Sequence, residues 1–186
     1  LCGSVVECPW ADRVKAILYM GLPGQAGGEA VADLLYGRVN PSGKLAESWP
    51  MAYGDVPSSE IYGKTADALY QEGIYVGYRC YDKAGVPVRW PFGYGLSYTA
   101  FAYSGLTAEG DRVSVTVKNT GTCAGAEVVQ LYIGAPQDGL HRPLRELKGF
   151  QKVFLQPGES RTVTFSLTDR SFALWQDGWK VPGGTY

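Results

Sequence analysis

Residues 112–118 (RVSVTVK) alternate strictly between polar and apolar side chains, and this pattern restricts the fold more than any other stretch. A period of two predicts a β-strand with one buried face, here the face that carries Val113, Val115 and Val117. Turns rich in glycine and proline separate this segment from others like it, at spacings of roughly 8–12 residues. The C-terminal part of the chain is therefore expected to be all-β.

The other strands of this all-β part are predicted from the same signals at 127–133, 146–155 and 161–167. A final hairpin is predicted over 172–181, with its turn at Asp177–Gly178. Together these segments predict a β-sandwich of the immunoglobulin or fibronectin type III kind across residues 105–186.

Residues 1–50 have a different, α/β pattern. The aliphatic run at 14–18 is typical of a buried parallel strand, and apolar residues at helical spacing predict a helix over 29–37. A further strand is predicted at 44–50. A strand, a helix and a strand at this spacing indicate a right-handed crossover at the edge of a mostly parallel sheet. We interpret this part as the end of an α/β domain.

Residues 51–104 are rich in tyrosine, glycine and proline and show no sustained period. Short strands are predicted around residues 73–81. Flexible linkers lack large side chains, so the aromatic content predicts an ordered connector that packs against another part of the protein. The predicted fold class is therefore α/β followed by all-β, with boundaries at residues 50 and 104.

Charge and hydropathy exclude several kinds of partner. The chain has 17 basic and 18 acidic residues, a net charge of −1, so it has no strong field to attract nucleic acid or an anionic membrane. Apolar runs are far shorter than the roughly 20 residues that span a bilayer. Neither nucleic acid nor a membrane is an expected partner, and the oligomeric state stays open.

The four cysteines, Cys2, Cys8, Cys80 and Cys123, match no zinc-binding pattern, and they are too few for a disulfide scaffold. We therefore expect scattered reduced thiols, and neither a metal nor a cofactor. Because no leader peptide is visible either, the sequence favours a cytoplasmic location.

The glycine-rich turn GLPGQAGG at 21–28 precedes the predicted helix, as phosphate-binding loops do. It lacks both the GxGxxG and the GxxxxGK[ST] patterns, so nucleotide binding is disfavoured. Gly24, Gly27 and Gly28 are instead expected to permit a tight turn and a close approach of helix and sheet.

Acidic residues could supply the carboxylate pair of a glycosidase, but no motif fixes two of them at a suitable separation. Surface or capping roles are favoured for them. The lone histidine, His141, lies in a predicted turn, and no G-x-S-x-G motif accompanies it, so a catalytic triad is not expected. The acidic candidates are Glu29, Glu60, Asp67, Glu72 and Asp82.

Aromatic residues concentrated between positions 75 and 98 could stack on sugar rings, but packing between domains is favoured. The set comprises Tyr75, Tyr78, Tyr81, Trp90, Phe92, Tyr94 and Tyr98. From the residues alone, the chain shows no catalytic constellation.

Taken together, three stretches resemble the C-terminal half of glycoside hydrolase family 3. The first, at 23–50, reads PGQAGGEAVADLLYGRVNPSGKLAESWP; the second, at 72–101, reads EGIYVGYRCYDKAGVPVRWPFGYGLSYTAF. The third begins with VKNTGTCAGAEVVQLYI at 117–133 and continues as RPLRELKGFQKVFLQPGESRTVTFSL at 142–167. They cover nearly the whole chain in the family's order.

The resemblance implies the end of an α/β sandwich domain, a connector and a fibronectin type III-like domain truncated after GGTY. It further implies a β-glucosidase-like parent enzyme acting on oligosaccharides or aryl and alkyl β-glycosides. In that family an aspartate nucleophile and a glutamate acid/base act by a retaining mechanism. Neither position maps onto this sequence, so no catalytic residue is assigned and the chain alone is expected to be inactive.

A second hypothesis is a stand-alone carbohydrate-binding or adhesion module built on the β-sandwich, since such folds serve many functions. This alternative predicts a complete sandwich, a leader peptide and an exposed aromatic platform.

Overall fold

The computed structural model describes residues 2–64, 66–137 and 139–186. Their contacts define two compact units: Leu1–Val39 with Lys44–Tyr94, and Asn40–Gly43 with Gly95–Tyr186. The division of the chain at residues 50 and 104 stays a prediction. None of the helices described has the length and apolar surface that crossing a bilayer requires.

The first unit contains the predicted N-terminal helix, α1, at Gly27–Leu35, so the helix expected at 29–37 is confirmed with slightly earlier bounds. Glu29 lies in its first turn, where a negative charge interacts favourably with the helix dipole. At the other end the Arg38 N–H donates to the Asp33 carbonyl oxygen over 2.9 Å, after Gly37 has adopted a φ of +69°.

The strand predicted at 14–18 is wrong. Val14 has an extended backbone, but residues 14–18 pair with no strand among the described residues, and Val14, Ile17 and Leu18 are exposed. An apolar run becomes a parallel strand only where neighbouring strands accept its hydrogen bonds. In the described chain that condition is not met.

The strand predicted at 44–50 is reduced to β1, Trp49–Pro50, which pairs antiparallel with β2, Val88–Trp90. Nearby, Leu45 exchanges backbone hydrogen bonds of 2.8 Å with Gly93 and Tyr94. The predicted parallel crossover is therefore wrong for the described residues. Their extended segment at 45–50 pairs with the later segment at 88–94 instead.

The strands predicted around 73–81 are also wrong, because a helix, α2, occupies Tyr78–Ala84. Aromatic residues favour strands statistically, and this composition misled the prediction. Two glycines in left-handed conformations, Gly77 and Gly85, bound the helix at its two ends. Tyr81 is the helix residue that is buried.

The second unit is a β-sandwich. Its strands are β3 Phe101–Glu109, β4 Arg112–Asn119, β5 Gly125–Gly134, β6 Arg145–Leu155 and β7 Ser160–Ser166. Strand β4 pairs with β3 on one side and with β7 on the other, and β5 pairs with β6, all antiparallel. The four strands predicted from 112 onward are confirmed. Strand β3 was not predicted, because Gly105 interrupts its alternation.

Both sheets contribute to one core of almost fully buried side chains: Val117, Val129, Val153, Leu155 and Val163. Phe101, Val115 and Phe165 pack against this core. On the opposite face of β4 the hydroxyls of Ser114 and Thr164 lie 2.8 Å apart, and those of Thr116 and Thr162 lie 3.0 Å apart. The predicted alternation of 112–118 is thus realised as an apolar inner face and a hydroxyl-paired outer face.

The end of the chain forms a short helix, α3 at Asp169–Phe172, and a hairpin of β8, Leu174–Trp175, and β9, Trp179–Lys180. Asp177 has a φ of 50° and Gly178 a φ of 139°, so the turn lies where the sequence predicted it.

A single buried asparagine, Asn119 at the end of β4, joins the segments at one end of the sandwich. Its Nδ2 donates to the carbonyl oxygens of Cys123 at 2.9 Å and Leu155 at 3.1 Å. Its Oδ1 accepts from the Thr99 hydroxyl at 2.7 Å and the Gly121 N–H at 3.1 Å. The side chain is fully buried, with four hydrogen bonds.

The backbone N–H and carbonyl groups of Asn119 are also hydrogen-bonded. Its N–H donates to the Glu159 carbonyl oxygen at 2.9 Å, and its carbonyl oxygen accepts from the Gly158 N–H at 2.9 Å. One residue therefore connects the approach to β3, the β4–β5 turn, the end of β6 and the β6–β7 turn.

A second asparagine, Asn40, belongs to the same unit although it follows α1 in sequence. Its Nδ2 donates to the Ala124 carbonyl oxygen at 3.0 Å. Its Oδ1 accepts from the Ser97 hydroxyl and the Tyr98 N–H, both at 2.8 Å. The segment Asn40–Gly43 is thereby fixed beside the β4–β5 turn.

Replacement of Asn119 by alanine is expected to destabilise the protein by about 2–4 kcal/mol, because several buried partners lose their hydrogen bonds. Urea unfolding followed by tryptophan fluorescence measures the change. Thr120→Ala is the matched control, since the exposed Thr120 hydroxyl makes one 3.2 Å bond to Ala100, and its loss is expected to cost about 0.5–1 kcal/mol. Equal losses for the two variants would contradict the role given to Asn119.

Candidate functional site

The glycine turn before α1 is shaped by a close contact. A methyl group at Gly27 would lie 2.6 Å from the Pro23 ring, and Gly24 has a φ of +70°. Gly28 faces open space. These observations support the structural role that the sequence favours over phosphate binding for this turn, and they assign that role to Gly24 and Gly27.

The candidate carboxylates lie in the first unit but do not form a described pair. Glu29, Glu60 and Asp67 are exposed, whereas Glu72 and Asp82 are half-buried. A glycosidase needs two carboxyl groups that face one sugar from opposite sides. Nothing in this arrangement assigns that role to any of the five.

Glu72 does take part in a local cluster around the buried Tyr81. Burial raises the pKa of the Tyr81 phenol, and the neighbouring Cys80, Asp55 and Glu72 raise it further. Burial, followed by the charge of Glu72, also raises the pKa of the Cys80 thiol. Both groups are therefore kept protonated, which suits packing and does not produce a nucleophile.

Six of the seven aromatic candidates lie in the first unit, and Tyr98 lies in the second. Tyr78 stacks on Phe92 with ring centroids 4.8 Å apart, and Trp90 meets Trp49 edge-on at 5.6 Å. Trp49 belongs to the core of the first unit with Cys8 and Ala11. The contacts within the unit show packing, and no open sugar-binding face is formed by these two pairs.

His141 lies exposed in the loop between β5 and β6. In the part of the chain that the structure describes, no group of three or more His, Cys, Asp or Glu side chains is placed to hold a metal ion. The four cysteines are free thiols, and Cys8 is buried with a raised pKa, mainly from desolvation.

Sequence reasoning missed a carboxylate–phenol pair that joins the two sheets of the sandwich. Glu127 of β5 is 9% exposed and makes a side-chain hydrogen bond with Tyr103 of β3. Burial, the charge of Glu127 and this hydrogen bond raise the pKa of Tyr103 far above its usual value. The signal in the sequence is a glutamate at an inward position of an otherwise uncharged strand.

Gly27→Ala is expected to destabilise the chain by about 1–3 kcal/mol, because the added methyl group overlaps the Pro23 ring. Gly28→Ala is the control at the next helix position, where open space and higher helix propensity predict a gain of up to about 1 kcal/mol. Thermal unfolding of both variants measures the contrast. Similar melting temperatures would contradict the packing role of Gly27.

Tyr103→Phe tests the sheet-to-sheet pair, with a loss of roughly 1 kcal/mol expected at neutral pH because Tyr103 is half-exposed. The raised pKa means that neutral Tyr103 stabilises the fold fully below pH 10, the ordinary phenol value. That contribution declines as the pH rises through the folded-state pKa. The stability gap between wild type and variant should therefore narrow above pH 10.

Urea unfolding across this pH range measures the gap. Tyr70→Phe, at an almost fully exposed position, is the control and should change nothing. A stability difference between wild type and Tyr103→Phe that stays constant above pH 10 would contradict the hydrogen bond between Glu127 and Tyr103.

Comparison with known proteins matches each end of the chain to a family. Residues 1–78 match the glycosyl hydrolase family 3 C-terminal domain, and residues 127–186 match the fibronectin type III-like domain. The predicted fold class, the end of an α/β domain followed by a fibronectin type III-like sandwich, is thereby confirmed.

Curated relatives are similar along the whole chain. Thermostable beta-glucosidase B of Acetivibrio thermocellus is 48% identical over 100% of this chain and 26% of its own length. Exo-alpha-(1->6)-L-arabinopyranosidase of Bifidobacterium breve is 46% identical over 99% of this chain and 26% of its own. The chain thus spans about a quarter of the length of these relatives.

Solved structures agree with the sequence matches. The GH3 beta-glucosidase of Bifidobacterium adolescentis superposes with a TM-score of 0.92 and 46% identity, over 98% of this chain and 29% of that one. Beta-glucosidase 3B of Thermotoga neapolitana, in complex with glucose, gives 0.90 and 46% over 96% and 26%. Residues 1–78 therefore belong to the glycosyl hydrolase family 3 C-terminal domain, and the chain corresponds to the C-terminal region of the beta-glucosidases that it matches.

Proposed function

We propose that this chain is the non-catalytic C-terminal part of a retaining glycoside hydrolase that releases terminal β-linked sugars. The observation that carries the proposal is the 48% identity, along the entire chain, with a thermostable beta-glucosidase. The substrates would be oligosaccharides or aryl and alkyl β-glycosides. The glucose bound in the Thermotoga neapolitana relative supports this substrate class.

Retaining hydrolysis needs two carboxyl groups, one as nucleophile and one as acid and then base. Glu29, Glu60 and Asp67 are exposed at the surface of the first unit, and Glu72 belongs to the Tyr81 cluster. We therefore assign the catalytic pair to other parts of the parent protein. Because the two carboxyl groups and water complete the chemistry, the reaction requires no cofactor.

This chain would contribute rigidity. Small displacements of catalytic groups cost a large part of the rate, so residues that support them must be held firmly. Asn119, with its fully bonded side chain, and Asn40 provide such support within the second unit. We infer that residues outside this chain select the sugar. A relative named for glucosides and one named for arabinopyranosides are 48% and 46% identical to the chain, so the matched region is similar in both.

One observation favours the alternative of a carbohydrate-binding module. Trp175 and Trp179 on the β8–β9 hairpin are 63% and 54% exposed, with ring centroids 5.3 Å apart. The Arg170 guanidinium covers one face of the Trp179 ring. Exposed aromatic rings such as that of Trp175 can stack on the apolar face of a sugar ring. Retention of the chain by insoluble polysaccharide, lost in Trp175→Ala but not in Tyr62→Ala, would support this alternative.

We also propose a reducing compartment, which the cytoplasm provides, because Cys2, Cys8, Cys80 and Cys123 are all free thiols.

The experiment that tests the main proposal is a chimera in which this chain replaces the matching quarter of the Acetivibrio thermocellus enzyme. The chimera is expected to hydrolyse aryl β-glucosides with retention of configuration, and the 186-residue chain alone is expected to be inactive. Glu29→Gln and Glu60→Gln in the chimera should leave kcat unchanged.

Two results would overturn the proposal. Hydrolysis by the isolated chain would show that it holds its own catalytic pair. A fall in kcat of more than about a hundredfold in either glutamine variant would place a catalytic carboxylate in this chain. Circular dichroism and a melting temperature, recorded for every variant, separate a loss of catalysis from a loss of folding.

A further inference from the structure

The turn of the β8–β9 hairpin contains a reactive dipeptide. Asp177 is followed by Gly178, whereas each of the other aspartates that the structure describes precedes a residue with a side chain. An aspartyl carboxyl group can react with the backbone nitrogen of the next residue, because the reaction closes a five-membered ring. A side chain on that next residue hinders the attack sterically, and glycine has none.

The geometry of the turn leaves both reacting groups accessible. Asp177 is exposed, and beyond the chain neighbours of Gly178 no atom lies within 4 Å of the position that a Cβ would take there. Within the part of the chain that the structure describes, neither the Asp177 carboxylate nor the Gly178 N–H makes a hydrogen bond. Because the reacting atoms belong to consecutive residues, the reaction needs no partner from elsewhere in the protein.

The turn is also strained and weakly held. Asp177 has a φ of 50°, in the left-handed region, and it is the only non-glycine residue with a positive φ in the described chain. The flanking strands are two residues each, Leu174–Trp175 and Trp179–Lys180. Hairpins this short open at a low cost in free energy, so the turn can reach the conformation that ring closure needs.

We propose that Asp177 is a site of spontaneous isomerisation to isoaspartate, and that this change separates Trp175 from Trp179. The Gly178 nitrogen attacks the Cγ of Asp177, and the new N–Cγ bond closes a succinimide. The proton of the nitrogen and the hydroxyl of the protonated carboxyl group leave as water. A water molecule then adds to the backbone carbonyl carbon of Asp177 and breaks its bond to the Gly178 nitrogen. The main chain now runs through Cγ, the former backbone carbonyl is a free carboxylate, and the mass is unchanged.

The isoaspartyl linkage adds one methylene carbon to the main chain of the turn. In the unmodified turn the Gln176 N–H donates to the Gly178 carbonyl oxygen over 2.9 Å, and Trp175 pairs with Trp179. The length of a hairpin loop fixes the register of its strands, so a longer main chain alters the pairing of so short a hairpin. The edge-on contact of the two indole rings, with centroids 5.3 Å apart, is therefore expected to be lost.

Incubation of the 186-residue chain at a physiological temperature tests the isomerisation. Trypsin cleaves after Arg170 and Lys180, so residues 171–180 are released as one peptide in which Asp177 is the only aspartate. Asp138, which also precedes a glycine, leaves in another peptide and is counted separately. An isoaspartyl methyltransferase with labelled S-adenosylmethionine marks the new carboxylate. Label is expected to accumulate in peptide 171–180 at a rate within about tenfold of that of the isolated peptide.

Asp177→Glu is the matched variant, because it keeps the charge but would have to close a less favourable six-membered ring. It is expected to accumulate no label in peptide 171–180. Asp177→Asn keeps a residue type that tolerates the left-handed conformation, and it should react faster because ammonia leaves an amide more readily than water leaves a carboxyl group. Labelling of Asp177→Glu at the wild-type rate would overturn the proposal. So would a folded chain that reacts more than about a hundredfold more slowly than the free peptide.

Circular dichroism tests the separation of the two indole rings. Rings in contact give an exciton couplet in the far ultraviolet, and Trp175→Phe identifies the part that belongs to this pair, since Trp49 and Trp90 also meet edge-on. That part is expected to fade with the same rate constant as the label accumulates, and to persist in Asp177→Glu through the same incubation. A couplet that is unchanged in the fully isomerised chain would overturn the proposed separation of Trp175 from Trp179.

Discussion

The bonding of Asn119 is the interaction on which the second unit most depends. A buried amide is costly unless each of its donors and acceptors is matched, and here four side-chain and two backbone hydrogen bonds match them. Two side-chain partners lie in the turn that follows Asn119, but Thr99, Leu155 and the Gly158–Glu159 turn are distant in sequence, so all the bonds form together only when both sheets are assembled. Apolar contacts in the core stabilise the sandwich but are not directional. The hydrogen bonds of Asn119 are directional, so they specify which turns meet at that end of the sandwich.

How much of the fold could be predicted from the sequence depended on whether a segment's partners lie in the same unit. The strands from 112 to 166 were predicted correctly because their alternation reflects a core that the same residues complete. The run at 14–18 has an equally clear apolar pattern, but a parallel strand requires neighbours that the described chain does not place beside it. An apolar pattern indicates that a segment is suited to burial, but it does not identify the segments that would cover it.

The polar features were harder to predict for a related reason. Asn40 and Asn119 occur in turn-like sequences, NPSG and NTGT, and such residues usually bond within their own turn. Their long-range bonds to Ala124 and Leu155 leave no periodic trace. Helix α2 was mistaken for strands because its aromatic residues were weighed by propensity, although the glycines at both ends marked its limits.

The position of Glu127 shows that the two sheets are joined by a polar pair as well as by the apolar core. Glu127 of β5 is 9% exposed, and a carboxyl group at such a position is costly unless a donor matches it. The phenol of Tyr103 on β3 makes that hydrogen bond. The bond also favours the protonated phenol, because Tyr103 can donate only while it keeps its proton. One pair therefore satisfies a buried polar group and ties β3 to β5 between the two sheets, which the non-directional contacts of the core do not specify.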